Sequence, residues 1–185
     1  MAVLDVVKIG SPKDGILRKP THRVRKFGPE LHRLLDDMLE TIHEAKGIGL
    51  AGPQIGLSQQ ITIIEFPDDE EDPENTMQLY EFINPKILKK KGAEVGQEGC
   101  LSIPGLVADV KRSKQITVEA QDRHGDKFRL KAYGWLARAI QHEVDHLEGK
   151  IMLEKAEQVY RVVENEEGEL EAVPIEDAIM QRIAV

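Results

Sequence analysis

The sequence predicts an α+β fold in which antiparallel β-sheets surround a central helix that carries the motif H-E-x-x-H, with an amphipathic helix nearer the amino terminus. Two segments, 29–45 and 135–148, repeat apolar residues at helical spacing. Strand-like segments outnumber them and mostly connect as hairpins, which is typical of this class. The 185 residues suffice for one domain with a substantial core.

The first helix is predicted over 29–45. Pro29 opens it, apolar residues recur at helical spacing from Leu31 to Ile42, and Gly47 lies just beyond its end. The next segment, GIGLAGPQIG over 47–56, is predicted as a loop or bent strand, because four glycines and a proline exclude a regular helix.

The later strands are predicted from the alternation of apolar and polar residues, and the turns between them from turn-forming residues. Asn84-Pro85 is expected to stop the second strand, an acidic loop is expected over 68–75, and His124-Gly125 marks a hairpin turn. The second helix, over 135–148, ends at Gly149. The predicted strands cover 61–66, 80–83, 115–121 and 127–133.

Composition narrows the class of function. The net charge of −8 argues against a nucleic-acid-binding surface, and no apolar run reaches the length of a membrane span. The first ten residues lack the layout of a signal peptide, since they already contain Asp5 and Lys8. A single cysteine, Cys100, cannot form an internal disulfide, which favours a cytoplasmic location and leaves metal binding or burial as its role.

The segment QHEVDHLEG over 141–149 indicates a metal site. On a helix, His142 and His146 share one face and can bind the same ion. Glu143 then lies where a carboxylate can move a proton to and from water. Two histidines spaced this way by accident are the weaker interpretation, because the glutamate occupies the one useful position between them.

Two residues are candidates for the third metal ligand. Glu166 would match a metalloprotease with a downstream glutamate, although Gly168 and Pro174 interrupt that segment and favour a solvated acidic stretch. Cys100 as a thiolate is a strong ligand for Zn²⁺ or Fe²⁺. A non-catalytic, metal-stabilised peptide-binding module is a further alternative.

Three motifs together resemble a known family. EGCLSIPG (98–105), QHEVDHLEG (141–149) and GIGLAGPQIG (47–56) resemble, in order and spacing, the signature motifs of peptide deformylases, and the resemblance runs from about residue 5 to about residue 154. It implies a metal-dependent hydrolase that removes the formyl group from N-formylmethionine at the start of newly synthesised polypeptides and releases formate. The chain departs from the family at Gly52, where alanine is usual, and we expect a looser loop there.

The resemblance also implies roles for individual residues. Cys100, His142 and His146 would bind one divalent ion, with Fe²⁺ expected as the native metal and Zn²⁺, Ni²⁺ or Co²⁺ as alternatives. Glu143 would move the proton. Glu98 and Arg112 resemble a structural pair that steadies the cysteine loop. The Gln54 amide and the Leu101 N–H would stabilise the oxyanion, and the substrate would contact Ile48, Gly49, Gly99, Trp135 and Ala139.

The family resemblance and the charge of the carboxyl-terminal segment predict the domain boundaries and the partners. Residues 1–154 are predicted as the catalytic domain and 155–185 as an acidic carboxyl-terminal extension with three basic and eight acidic residues. We therefore expect N-formylmethionyl nascent peptides as substrates and transient proximity to the ribosome without a basic docking tail. We expect no direct nucleic-acid binding and no membrane contact. The apolar stretches 159–163 and 175–185 are compatible with packing on the enzyme itself or on a second subunit of a homodimer.

Overall fold

A computed structural model describes residues 2–67, 77–165 and 167–176. The helices are α1 (Pro29–Ala45) and α2 (Gly134–Leu147). The strands are β1 (Gly49–Ala51), β2 (Ile61–Pro67), β3 (Met77–Lys91), β4 (Glu94–Gly99), β5 (Leu106–Arg112), β6 (Gln115–Gln121), β7 (Lys127–Tyr133), β8 (Ala156–Glu164) and β9 (Leu170–Pro174). The predicted acidic loop at 68–75, Glu166 and most of the apolar stretch 175–185 lie outside the described residues.

The described strands form two antiparallel sheets. One has five strands in the order β1-β2-β3-β6-β7, and the other has four in the order β4-β5-β8-β9. This mixed architecture of antiparallel sheets with few helices confirms the predicted class. Within the described ranges, no helix combines the length and the apolar character that a membrane crossing requires.

Both helices pack on the five-stranded sheet through the apolar stripes that predicted them. Helix α1 buries Leu35, Met38 and Ile42 against a cluster that includes Leu50 and Ile63. Helix α2 packs Ala137, Ile140 and Val144 on a second cluster that includes Phe82 and Val118. The polar side of α2 is bonded to the four-stranded sheet, since the Arg138 guanidinium donates to backbone carbonyls of β4 and β5. The helix thus connects the two sheets.

The prediction that Asn84-Pro85 ends the second strand is wrong. Strand β3 runs on to Lys91, and its pairing with β6 shifts register between Ile83 and Lys86. Asn84 adopts a left-handed conformation with φ of 53°, and its side chain bonds Val24 and Gln121. The bulge therefore accommodates the proline, whose missing N–H would interrupt a regular ladder.

Sequence patterns missed four strands: β4, β5, β8 and β9. The last two lie after residue 154, where β8 pairs with β5 and β9 pairs with β8. Val159 of β8 is fully buried, in a cluster that includes Ile151 and Leu153. The four-stranded sheet thus continues past residue 154. The division of the chain into a catalytic domain and an extension at that residue stays a prediction.

The burial of Val159 predicts that β8 contributes directly to stability. Val159→Ala should lower the free energy of unfolding by about 2 kcal/mol, because two buried carbon atoms are lost and a cavity remains. For a chain of this size, the melting temperature should fall by roughly 4 to 8 °C. Val173→Ala on β9 is the matched control, since Val173 is 41% exposed and its change should stay within about 0.5 kcal/mol. Equal melting temperatures for the two variants would mean that β8 frays.

Candidate metal centre

Helix α2 supplies two of the candidate ligands. Every residue from Ala137 to Leu147 is buried, which is unusual for a segment that contains two histidines, two acids and an arginine. The spacing of four residues places His142 and His146 on one face, with ring centroids 4.9 Å apart. Buried polar side chains of this kind need partners, and most of the partners come from the four-stranded sheet and from the loop between β4 and β5.

Cys100 reaches the histidines from a tight turn that follows β4. The turn closes where the Ile103 N–H donates to the Cys100 carbonyl at 2.9 Å. Lys8 fixes it from outside, since its ammonium donates to the Leu101 carbonyl at 2.6 Å. The Cys100 sulfur lies 3.3 Å from His146 Nε2. One ligand atom from each of Cys100, His142 and His146 lies within 4.8 Å of the others.

A buried carboxylate, Glu98, organises the ligands. Arg112 donates to both of its oxygens, at 2.8 and 2.9 Å, and Arg138 Nη1 donates to Oε1 at 2.9 Å. His142 Nδ1 lies 2.9 Å from Oε2. Burial raises the pKa of Glu98, but the hydrogen bonds from Arg112 and His142 outweigh burial and hold the pKa at about 2. The ionised carboxylate accepts a hydrogen bond from the Nδ1–H group, so Nε2 of His142 is left free to bind an ion.

Two further residues extend this network. Arg112 Nη1 also donates to Asp145 Oδ2 at 2.5 Å, and Lys155 donates to Asp145 Oδ1 at 2.6 Å. Sequence reasoning had proposed Arg112 as the partner of Glu98 but missed Arg138. A usable signal existed, because Arg138 lies four residues before His142 and therefore on the same helix face.

Glu143 lies beside the ligands in a dry environment. Burial raises its pKa to about 7. The Thr62 hydroxyl lies 3.4 Å from Oε2 and also donates to the Leu50 carbonyl at 3.0 Å. On the other side is Gly49, where an added Cβ would come within 2.5 Å of Oε1. Sequence reasoning missed Thr62, although a hydroxyl inside an apolar strand is a signal of a buried polar contact.

Gln54 turns its amide nitrogen toward the cysteine. Its Oε1 accepts from the Ala51 N–H at 2.8 Å, which fixes the orientation of the amide. Nε2 then points at the Cys100 sulfur, 3.6 Å away, and at the Ser102 hydroxyl, 3.3 Å away. The Leu101 N–H donates to no acceptor in the part of the chain that the structure describes. The Gln54 amide and the Leu101 N–H are therefore two candidate donors next to Cys100.

The side chains of Cys100, His142, Glu143 and Gln54 border one pocket with a volume of about 410 Å³. Its walls contain all the predicted substrate contacts: Ile48, Gly49, Gly99, Trp135 and Ala139. They also contain the predicted catalytic residues Gln54, Leu101 and Glu143, and two of the ligands, Cys100 and His142. The third ligand, His146, lies behind them and is 1% exposed. Apolar residues that sequence reasoning had not assigned to the site complete the walls: Ile103, Pro104, Leu106, Val107 and Val162.

The donor set fits a divalent transition metal. One thiolate and two imidazoles suit Zn²⁺ or Fe²⁺ and leave room for a fourth ligand on the pocket side. Burial lowers the pKa of His142, but Cys100, Glu98 and Glu143 together raise it well above its usual value, so the surroundings favour positive charge. Burial and the neighbouring His142 hold the pKa of His146 well below its usual value. A neutral imidazole is the form that binds metal.

The chain matches one family and many solved structures. A family model described as polypeptide deformylase matches residues 3–162. Peptide deformylase 1 from Bacillus cereus is 47% identical over 171 residues, which cover 92% of this chain and all of the relative. The crystal structure of a peptide deformylase from Synechococcus elongatus in complex with actinonin is 42% identical, with a TM-score of 0.74 over 83% of this chain and 80% of that one. The peptide deformylase from Thermus thermophilus gives 40% identity and a TM-score of 0.73, covering 83% and 85%.

The glycine loop leads to a prediction about stability. The departure at Gly52 suggested a looser loop, but an added Cβ there would lie 2.6 Å from the Gln59 carbonyl oxygen and 2.9 Å from that of Leu57. Both atoms belong to the backbone and cannot move aside easily. Gly52→Ala should therefore lower the free energy of unfolding by roughly 1 to 3 kcal/mol, the usual effect of overpacking.

Gly49→Ala is the matched comparison for Gly52→Ala. Its new methyl group would meet the Glu143 side chain and no backbone atom, with Oε1 at 2.5 Å and Cδ at 3.0 Å, so a side-chain rotation can relieve the contact and the melting temperature should change less. Gly15, with no atom within 4 Å of an added Cβ, provides a neutral site for the same substitution. Thermal unfolding of the three variants checks the expected order of their stabilities. A Gly52→Ala protein as stable as the parent would contradict the close packing described above.

Proposed function

The chain belongs to the peptide deformylase family, and on that premise we propose how its own residues remove the formyl group from the amino-terminal methionine of new polypeptides. The enzyme is a metal-dependent hydrolase that releases formate. One observation carries the assignment of roles: the ligand atoms of Cys100, His142 and His146 converge beside the buried Glu143 at the base of an apolar pocket.

Cys100, His142 and His146 would hold the ion, and we propose Fe²⁺ as the native metal. When bound, such an ion acts as a Lewis acid that lowers the pKa of water to about 7 and polarises the formyl carbonyl. Glu98 keeps His142 in the tautomer that presents Nε2. Arg112 and Arg138 keep Glu98 ionised, so the ligand geometry is set before a substrate arrives.

Glu143 is the proposed proton carrier. Its carboxylate accepts a proton from water as the water oxygen bonds to the formyl carbon. It then gives the proton to the amine nitrogen as the C–N bond breaks, so one carboxylate serves both steps. A pKa of about 7, raised by burial, suits a group that must accept and return a proton near neutral pH. Gln54 Nε2 and the Leu101 N–H would donate to the oxygen on which negative charge develops.

The substrate backbone is proposed to enter between two sheet edges. Strand β1 ends the five-stranded sheet, strand β4 ends the four-stranded sheet, and Gly49 and Gly99 of these strands both line the pocket. An extended peptide can add to such edges through backbone hydrogen bonds. The methionine side chain would then lie against Ile48, Trp135 and Ala139, with Leu106 and Val162 as further apolar contacts.

The remaining expectations concern location and partners. A lone cysteine and a substrate that is a newly made chain support a cytoplasmic enzyme that works near the ribosome. The acidic segment after residue 154 is not proposed as a docking element, because its charge repels phosphate. Homodimer formation stays a prediction.

Replacing Glu143 tests the proton transfer. Glu143→Gln should keep the fold and the bound metal while it lowers turnover of a formyl-methionyl peptide by roughly 10²-fold or more, since the amide cannot accept the proton. Glu148→Gln near the same helix end is the matched control, because Glu148 is exposed and its carboxylate pairs with Lys150. Turnover by Glu143→Gln at the control rate would show that another group moves the proton.

Replacing Cys100 tests the ligand set. Cys100→Ser should lose most of its metal, as determined by elemental analysis of protein purified without oxygen, because a hydroxyl is a much poorer ligand than a thiolate. Glu143→Gln, which leaves all three ligands intact, should retain its metal and serves as the control. The same analysis of the parent protein identifies the native ion. Full metal content in Cys100→Ser would point instead to a carboxylate ligand such as Glu166.

A further inference from the structure

The five-stranded sheet carries a concentration of positive charge on a chain whose net charge is −8. Four of the six residues from 86 to 91 are lysines, and β7 adds Arg129 and Lys131. We call this surface the basic face, and it is made up of Lys86, Lys89, Lys91, Arg129 and Lys131, all exposed. The expectation of no nucleic-acid contact was based on the net charge of the whole chain. That net charge is an average over surfaces whose local charges differ.

Strand register places these side chains on one surface. Lys89 pairs with Thr117, which pairs with Lys131, so the two lysines lie in one row across three strands and about 10 Å apart. The neighbouring row contains Lys91, Gln115 and Tyr133. The alternate residues, such as Ile116 and Ala132, point to the core. The basic side chains therefore face outward together.

Few carboxylates neutralise this surface. Glu119 bonds Arg129 at 2.8 Å in the row that also contains Lys86. Within the described residues, no salt bridge involves Lys86, Lys89, Lys91 or Lys131. Such a surface attracts polyanions and is strongly sensitive to salt.

A groove gives the basic face its shape. It has a volume of about 980 Å³, runs over β3, β6 and β7, and is bordered by Lys89, Lys91, Arg129 and Lys131. A second cavity of about 500 Å³ between β3, β5 and α2 is not part of this face, because its lining mixes Lys90 and Lys111 with Asp145 and Glu148. A positively charged groove that follows a backbone is the usual feature of sequence-tolerant binding to single-stranded nucleic acid.

An aromatic side chain lies in the row next to Lys131. Tyr133 is 59% exposed and points to the same side as Lys131, and Trp135 at the wall of the pocket follows two residues later. Exposed aromatic rings next to cations allow bases to stack. The basic face and the substrate pocket thus meet at the start of α2.

We propose that the basic face binds the phosphate backbone of RNA and so holds the pocket close to the site where formylated chains are made. The choice of RNA rests on the proposed function, since the substrate is produced by a machine built largely of RNA. The interaction leaves the chemistry of the pocket untouched, because none of the five basic residues lines it.

A charge-reversal pair tests the proposal on the full-length enzyme. Lys89→Glu/Lys131→Glu should bind a labelled single-stranded oligouridine more weakly between about 50 and 200 mM salt. The slope of log affinity against log salt should become shallower by about 1.4, because each lost phosphate contact removes about 0.7. Lys13→Glu/Lys19→Glu carries the same change of charge on exposed residues at the other sheet and should bind RNA like the parent.

The results separate the proposal from its alternatives and from the enzymatic activity. All three proteins should deformylate a short peptide at the same rate, so a failure of RNA binding leaves the proposed function intact. Equal weakening of RNA binding in both double variants would show that the effect comes from the overall charge of the protein and would overturn the proposal. Binding to phosphatidylglycerol vesicles without binding to oligouridine would overturn it in favour of a membrane, and no binding to either would overturn it outright.

Discussion

The active centre depends on one buried charge, the carboxylate of Glu98. It is 4% exposed and accepts hydrogen bonds from Arg112, Arg138 and His142. A carboxylate buried without these partners would take up a proton, and His142 would then lose the acceptor that fixes its tautomer. Loss of one partner from a buried ion pair commonly costs ~3–5 kcal/mol. The network therefore links the stability of β4, β5 and α2 to the geometry of the ligands.

The sequence was most informative where chemistry imposes a spacing. The i, i+4 histidines with Glu143 between them predicted a shared helix face, and the helical periods predicted two helices close to their observed bounds. Strand β4 was missed because Glu94–Gly99 offers few apolar residues, and the interior side of that segment is occupied by Glu98 rather than by a hydrocarbon. Tertiary pairing of a charged side chain overrode the apolar alternation that strand prediction relies on.

The contacts that shape the centre could not be derived from local patterns, because they join distant segments at close range. An added Cβ at Gly96 would lie 2.8 Å from the Arg138 guanidinium, and one at Gly47 would lie 2.9 Å from Leu101. These glycines allow close approach and do not serve as turns. A single sequence shows that a glycine is present but not which group comes near it. For the same reason, Thr62 and Arg138 became visible only once the strands and α2 were assembled.

The position of the pocket between two sheet edges resolves a general problem of β proteins. An exposed edge strand invites association with another chain, and natural edges are usually shortened or charged. Here β1 is only three residues long, and β4 directs Glu98 inward to the ligands. Both edges line one narrow pocket, so an extended peptide can reach them whereas a second sheet cannot. In the proposed binding mode, the backbone groups that would otherwise promote aggregation align the substrate, and its formylated end would lie where Cys100, His142 and His146 converge.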